Sequence, residues 1–384
     1  MSHYAKIFAL STVLVSPFAQ ATTVIPAPPI LENKAFVLMD YDSGKVLAES
    51  NAHDQLHPAS LTKMMTSFLV EQRLLKGQLK EEDQVLMSEN AWCRGTSKES
   101  CMYVPLNGYA SVLDMLRGII IQSGNDASKA VAEHLAGSEV AFAELMNGEA
   151  KHLGMKNTQF KNATGLTEDG HYTSAYDMAI LAHAIIKDSS KYYPIYSEKE
   201  FTYNNIKQGN RNALLFTDPT VDGLKTGHTD AAGYCLTASS KRGSMRLISV
   251  VMGTNSMQAR ADQTRALFNW GFSNYETALI RPKNQELAKP VVWFGAADNV
   301  SVGLANDMNV TLARGQKDKL QISLQLAPSL DAPLKQGQEV GKIIASLDGK
   351  IVAEQALVAL QPVEQANFFV RIWHGIKRFF VNLF

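Results

Sequence analysis

The sequence predicts an α/β domain, then a small all-β domain, then an amphipathic terminal helix. Three observations carry this reading. Strand-like segments stand at both ends of a long helical middle, which suggests one sheet assembled from distant parts of the chain. After about Ala278 helical spacing stops and strict alternation begins. The last residues, Phe368 to Phe384, sort into an aromatic and a basic face. With 384 residues the chain can hold two or three domains with ample cores.

The elements follow in order. Lys6 precedes the apolar run Ile7-Phe8-Ala9-Leu10 through Val13-Leu14-Val15, and Ala19-Gln20-Ala21 supplies small residues at signal-peptidase spacing. Residues 1–21 therefore read as a signal peptide cleaved after Ala21, since a membrane span would need ~20 apolar residues. Pro26, Pro28 and Pro29 make an extended lead-in. Phe36-Val37-Leu38-Met39, the turn Asp42-Ser43-Gly44-Lys45 and Val46-Leu47-Ala48 read as a hairpin. A helix is expected to begin near Ser60, because Leu61, Met64, Met65, Phe68 and Leu69 repeat at helical spacing. Helical patterns dominate from about Val112 to Lys187. Strands are expected around Gly233–Ser239 and Leu247–Met252, with a last helix from Gln258 to Trp270. The α/β unit so defined covers 33–277.

Residues 278–364 read as a small β-sandwich-like domain. Leu320-Gln321-Ile322-Ser323-Leu324-Gln325-Leu326 alternates strictly, and Gly337 and Asp348-Gly349 mark turns. On a wheel of 100° per residue, the tail (366–384) places Phe368, Phe369, Ile372, Trp373, Ile376, Phe379, Phe380, Leu383 and Phe384 on one arc. Arg371, His374, Lys377, Arg378 and Asn382 lie opposite, and only Val370 and Val381 stray into the polar half. This pattern suits a helix lying in a membrane interface. The alternative is a helix that docks on a partner or on the protein itself.

Lys+Arg and Asp+Glu both number 37, so nothing in the bulk charge points to nucleic acid. The nine His residues show no H-E-x-x-H or similar ligand spacing, so no metal or other cofactor is implied. Export places the cysteines in an oxidising compartment, where Cys93 and Cys101 could form a disulfide or remain two thiols in a loop. Cys235, in Tyr234-Cys235-Leu236, reads as a small buried hydrophobe.

Three short motifs carry the chemistry: Ser60-Leu61-Thr62-Lys63, Ser123-Gly124-Asn125 and Lys225-Thr226-Gly227, the last followed by His228. A serine hydroxyl needs a base. On a helix Lys63 shares a face with Ser60, and it can act as base if burial and a nearby positive charge lower its pKa. Lys225 would supply such a charge if the fold brings it close. Each motif alone is weak; most S-x-x-K matches are a polar cap and a solvated lysine. In this order they match the S-x-x-K, S-D-N and K-T-G signature of class A β-lactamases and penicillin-binding proteins, with Gly124 in place of Asp.

The chain resembles the low-molecular-mass penicillin-binding proteins, the D-alanyl-D-alanine carboxypeptidases, in which Ser-Gly-Asn is usual. Phe36–Asp42, Leu153-Gly154-Met155, Gly209-Asn210-Arg211-Asn212, Val221-Asp222-Gly223-Leu224, Arg246-Leu247-Ile248, the β domain and the aromatic tail extend the resemblance over nearly the whole exported chain. It implies a serine penicillin-binding, β-lactamase-like catalytic domain. By matched position Ser60 is the expected nucleophile, Lys63 its base and Ser123 a proton relay toward the leaving amine. Asn125 is expected to hold a substrate amide. Lys225, Thr226 and Gly227 are expected to bind the terminal carboxylate region. The N–H groups of Ser60 and His228 are expected to form the oxyanion hole. Arg211 and Arg260 are candidates for holding substrate or bracing the site, although Gln258-Ala259-Arg260-Ala261 departs from the family's Gly-Arg-Glu. The segment from Cys93 to Cys101 falls where the family has a flexible loop at the active-site mouth.

The implied reaction is release of the last D-alanine from peptidoglycan stem peptides, with β-lactams as covalent inhibitors. The implied place is the periplasm, on the outer face of the inner membrane. Two rivals remain. A class A β-lactamase needs a deacylating glutamate in E-x-x-L-N, and before Leu106-Asn107 the corresponding residue is Tyr103. A non-catalytic wall-binding scaffold would have no need of intact motifs.

Overall fold

The computed structural model describes residues 25–94 and 99–381. The expected signal peptide, the middle of the Cys93–Cys101 segment and Asn382 to Phe384 lie outside the described residues.

Five antiparallel strands form the central sheet. Their spatial order is Val46–Ser50, Ala35–Asp40, Met245–Thr254, Gly233–Arg242 and Val221–Thr229. The first two are the expected hairpin. Ala35–Asp40 is buried along its whole length because it lies second in the sheet with helices on both faces. The helical middle lies between the two halves of this sheet in sequence. Its main helices are Lys63–Leu75, Asn125–Ala136, Glu139–Leu153 and Ala175–Asp188. Ser138 and Ser174 accept from the backbone N–H groups of Ala141 and Asp177, closing two of these helix starts. The closing helix, Met257–Asn274, starts on Ser256 and covers the opposite face of the sheet with Leu267, Phe268 and Phe272.

The helix expected near Ser60 begins differently. Ala59–Thr62 form a turn of 3₁₀ helix, and the α-helix starts at Lys63. Pro58 and a left-handed Ala59 (φ +46°) set this entry. Gly165 packs beneath it: a Cβ there would lie 1.8 Å from the Ala59 carbonyl oxygen.

The second body is all β, built on a four-stranded sheet ordered Val302–Gly303, Lys350–Ala359, Glu339–Leu347 and Gln321–Leu326. Asp348-Gly349 turns the long hairpin. Gln321–Leu326 alternates as expected, but Leu324 is exposed beside Ile322 and Leu326, because this is an edge strand. Its own core gathers Val292, Val302, Val310, Leu312, Ile343 and Leu357. The strand Tyr275–Arg281 follows the closing helix directly and pairs with Met308–Ala313. The β body thus starts at about 275, three residues before the 278 expected. The two bodies touch where Lys45 Nζ donates to the Thr311 carbonyl at 3.1 Å and Thr277 donates to Asp40.

The tail forms the helix Phe368–Val381. It is fastened to the β body by its polar face. The Phe294 N–H donates to His374 Nδ1 at 2.8 Å, and Arg378 donates to both oxygens of Asp331 at 3.0 Å.

Candidate active site

The three motifs arrive from separate elements and meet in one cleft lined by Ser60, Ser123, Thr226, Gly227, His228 and Arg211. Ser60 sits in the 3₁₀ turn, and Lys63 begins the helix that follows. Ser123 lies at the end of the π-helical turn Gly118–Gln122, in the left-handed region (φ +66°), which few residues other than glycine adopt. Such backbone strain persists where its surroundings over-determine it. Lys225 to His228 lie in the interior of the edge strand Val221–Thr229.

Lys63 is fully buried and makes three contacts. Nζ lies 3.2 Å from Ser60 Oγ, 2.6 Å from Asn125 Oδ1 and 2.6 Å from the Thr164 carbonyl. Burial holds its pKa down to about 7, and the Arg211 guanidinium adds to the fall; Glu99, Asp126 and Glu139 act against it. A neutral amine has two N–H bonds and one lone pair. The amide oxygen and the carbonyl can only accept. They take the two N–H bonds and leave the lone pair to Ser60.

Lys225 is buried with its Nζ donating to the Thr226 carbonyl at 3.1 Å. Burial, then Lys63, Arg211 and Arg260, push its pKa well down. Arg211 and Arg260 bring positive charge to this cleft beside two lysines whose protonated forms burial disfavours, a setting that suits an anionic group. Ser123 is buried, and its hydroxyl has no hydrogen-bond partner among the described residues. His228 is exposed and stacks on Tyr234 with centroids 4.0 Å apart.

Arg260 lines the cleft and also braces its wall. It is buried, and its guanidinium donates to the carbonyls of Gly227 at 3.1 Å, Cys235 at 3.4 Å and Arg211 at 3.5 Å. It thus ties the motif strand to its neighbour and to the loop that carries Arg211. Burial lowers its pKa to about 10.

Cys93 and Cys101 form a disulfide, with Cα atoms 6.1 Å apart, and Cys235 is buried and unbonded. The far leg of this loop is clamped to the second motif. The Asn125 N–H donates to the Ser100 carbonyl at 2.7 Å, and the Met102 and Tyr103 N–H groups donate to Asp126 at 2.8 Å. Asn125 Nδ2 donates to Glu99 Oε2 at 3.0 Å.

Sequence reasoning missed Glu99, Asp126, Thr164 and Tyr234. Thr164 acts through a backbone carbonyl, which no motif encodes. Asp126 adjoins the second motif and could have been noticed there.

A family model described as D-alanyl-D-alanine carboxypeptidase matches residues 22–256, and one described as the penicillin-binding protein 5 C-terminal domain matches residues 275–365. The chain is 44% identical over 392 residues to the D-alanyl-D-alanine carboxypeptidase DacA of Escherichia coli, covering 99% of this chain and 97% of that protein. It is 43% identical over 376 residues to DacC of the same organism, covering 97% and 94%. The crystal structure of penicillin-binding protein 5 from Haemophilus influenzae matches with a TM-score of 0.84 at 42% identity, covering 88% of this chain and 100% of that one. Two family models in sequence, near-full-length identity and a shared fold leave one assignment: the chain belongs to the D-alanyl-D-alanine carboxypeptidase family.

Proposed function

We propose that the protein is a serine D-alanyl-D-alanine carboxypeptidase that removes the terminal D-alanine from peptidoglycan pentapeptides through a Ser60 acyl-enzyme. One observation carries the reading: a buried amine, Lys63, has its two N–H bonds committed to acceptors and lies 3.2 Å from the Ser60 hydroxyl.

The steps follow from the geometry. Ser60 Oγ attacks the carbonyl of the D-Ala-D-Ala bond while Lys63 takes its proton. The N–H groups of Ser60 and His228 receive the developing oxyanion; losing one such donor typically costs ~10²–10³ in rate. Ser123, whose hydroxyl is otherwise uncommitted, passes a proton to the departing amine of D-alanine. Water then hydrolyses the ester. Lys225, Thr226 and Arg211 hold the terminal carboxylate, with the backbone at Gly227 alongside. Both ends of the Asn125 amide are engaged in the resting site, so a substrate amide would use the second lone pair of Oδ1. Arg260 keeps the strand and Arg211 in place. β-Lactams acylate the same serine.

The reading includes export to the periplasm and peripheral attachment to the outer face of the inner membrane. Among the described residues no helix is long and apolar enough to cross a membrane. The terminal helix presents exposed Phe368, Phe369, Trp373, Phe379 and Phe380, as a helix resting in an interface would.

Labelled penicillin should mark the wild type and leave Ser60→Ala unmarked. Mass spectrometry of a pentapeptide incubated with the enzyme should show loss of one D-alanine. An unlabelled wild type would favour a wall-binding scaffold, and rapid β-lactam hydrolysis would favour a β-lactamase.

A further inference from the structure

We propose that Glu99 is a positioning residue for the Lys63 amine: its carboxylate holds the Asn125 amide so that Oδ1, which can only accept, faces Lys63 and leaves the amine's lone pair to Ser60. The inference rests on the reading of Lys63 as the base.

Three contacts in series support it. Glu99 Oε2 accepts from Asn125 Nδ2 at 3.0 Å; Asn125 Oδ1 accepts from Lys63 Nζ at 2.6 Å; Lys63 Nζ lies 3.2 Å from Ser60 Oγ. An amide is nearly symmetric in shape but opposite in chemistry at its two ends. Turned over, Asn125 would point N–H bonds at Lys63. A neutral amine would then direct its lone pair to the amide rather than to the serine. Nothing in the Ser123-Gly124-Asn125 backbone decides between the two orientations. The carboxylate does, because it accepts only.

Glu99 also sets charge. It stands with Asp126 and Glu139 against the burial and the Arg211 charge that lower Lys63. Lys129 Nζ lies 3.9 Å from the same Glu99 oxygen and helps keep it in place. The position is fixed from the loop side as well. Glu99 lies two residues before Cys101, which is bonded to Cys93, and next to Ser100, whose carbonyl accepts from the Asn125 N–H at 2.7 Å. The disulfide loop is thus coupled to the general base through one side chain.

The two effects separate by substitution. Glu99→Gln keeps an acceptor for Asn125 Nδ2 and loses the charge. Glu99→Ala loses both. The measurement is the second-order rate of Ser60 acylation by labelled penicillin across pH, with melting curves to verify that each variant is folded. The wild-type rate should rise as Lys63 loses its proton, with a midpoint near pH 7. In Glu99→Ala the high-pH plateau should fall about tenfold, short of the ~10²-fold that a 1 Å misplacement of a reacting group can cost. In Glu99→Gln the plateau should be largely restored. Both midpoints should shift down, since a neutral residue no longer favours the charged amine.

A wild-type plateau in Glu99→Ala overturns the proposal. So does a Gln variant as slow as Ala, which would make charge alone the cause. A change confined to deacylation overturns it too, placing Glu99 on the hydrolytic water. Lys63→Ala separates this inference from the one beneath it. If Lys63→Ala is acylated normally, the base assignment itself fails. If it is inert while Glu99→Ala is unaffected, only the role of Glu99 fails.

Discussion

Gly124 shows how one missing atom shapes the site. The signature motif allows Asp at this position, but a Cβ here would lie 2.9 Å from Asp126 Oδ1 and 3.2 Å from the Met102 backbone nitrogen. Asp126 has no room to yield, because it accepts from the Met102 and Tyr103 N–H groups that fasten the disulfide loop. Glycine is therefore required by close approach, and its backbone is not left-handed. Gly124→Asp should destabilise the domain by about 1–3 kcal/mol through overpacking, and should slow acylation by loosening the loop. Melting curves and penicillin labelling test this; a fully stable, fully active variant would contradict it. The same neighbourhood shows what a sequence reveals. Ser60, Lys63, Ser123, Asn125 and Lys225 were legible because three weak motifs in one order match a known signature, and the fold brings them together. The Thr164 carbonyl was not, because any residue supplies a carbonyl. Glu99 was not, because its role depends on where a loop folds back. Arg260 was legible as important but open in role, and it both lines the cleft and bonds three carbonyls of its wall.

The helix Lys63–Leu75 carries a second buried titratable group on its inner face. Glu71 is fully buried, and its Oε1 accepts from the Tyr196 hydroxyl at 2.8 Å. Tyr196 in turn meets Ser67 at 2.7 Å. Burial raises the Glu71 pKa to about 7, against lowering by its hydroxyl partners. The folded protein thus holds this proton more tightly than the unfolded chain does. Between the usual carboxyl range and pH 7 the unfolded state binds fewer protons, so stability falls as pH rises. The raised pKa is equivalent to on the order of 3 kcal/mol across that interval. Glu71→Gln keeps an acceptor for Tyr196 and removes the titration. Its Tm should therefore gain on the wild type as pH rises from acid to neutral; parallel Tm profiles would refute this. At this scale the sequence was informative for long elements. The expected helix from Gln258 to Trp270 is Met257–Asn274, and the expected strands fall inside Gly233–Arg242 and Met245–Thr254. Short exposed pairs escaped it. Glu200–Tyr203 and Ile206–Gly209 form a hairpin with little buried apolar surface to give a period. Its turn residues Asn204 and Asn205 are both left-handed, and that Asn pair was the available signal.

Across the whole molecule, the terminal helix departs most from what its amphipathic pattern alone could decide. A wheel separates the faces but does not say which one meets the protein. Here the polar arc docks: His374 accepts from Phe294, and Arg378 pairs with Asp331 and lies over the Trp293 and Phe294 rings. The aromatic arc faces outward, with Trp373 62% and Phe379 63% exposed. An exposed apolar stripe of this size marks an interaction surface. For the proposed membrane attachment, the arrangement also divides the available forces. A basic residue contributes about 1 kcal/mol near an anionic surface, but Arg378 already has a carboxylate partner. Apolar contact must then dominate over charge. Burying one aromatic side chain is worth about 1.5–3 kcal/mol when complete, and a factor of ten in partitioning needs only about 1.4 kcal/mol. Replacing Trp373 and Phe379 together by Ser should therefore reduce cosedimentation with anionic vesicles by more than about tenfold. Raising salt should reduce wild-type binding much less, because screening acts only on the charge component. Penicillin acylation should be unchanged in the double variant, since the helix is fastened to the β body and not to the cleft. Binding lost to salt but retained in the double variant would reverse the assignment and place the basic residues at the membrane instead.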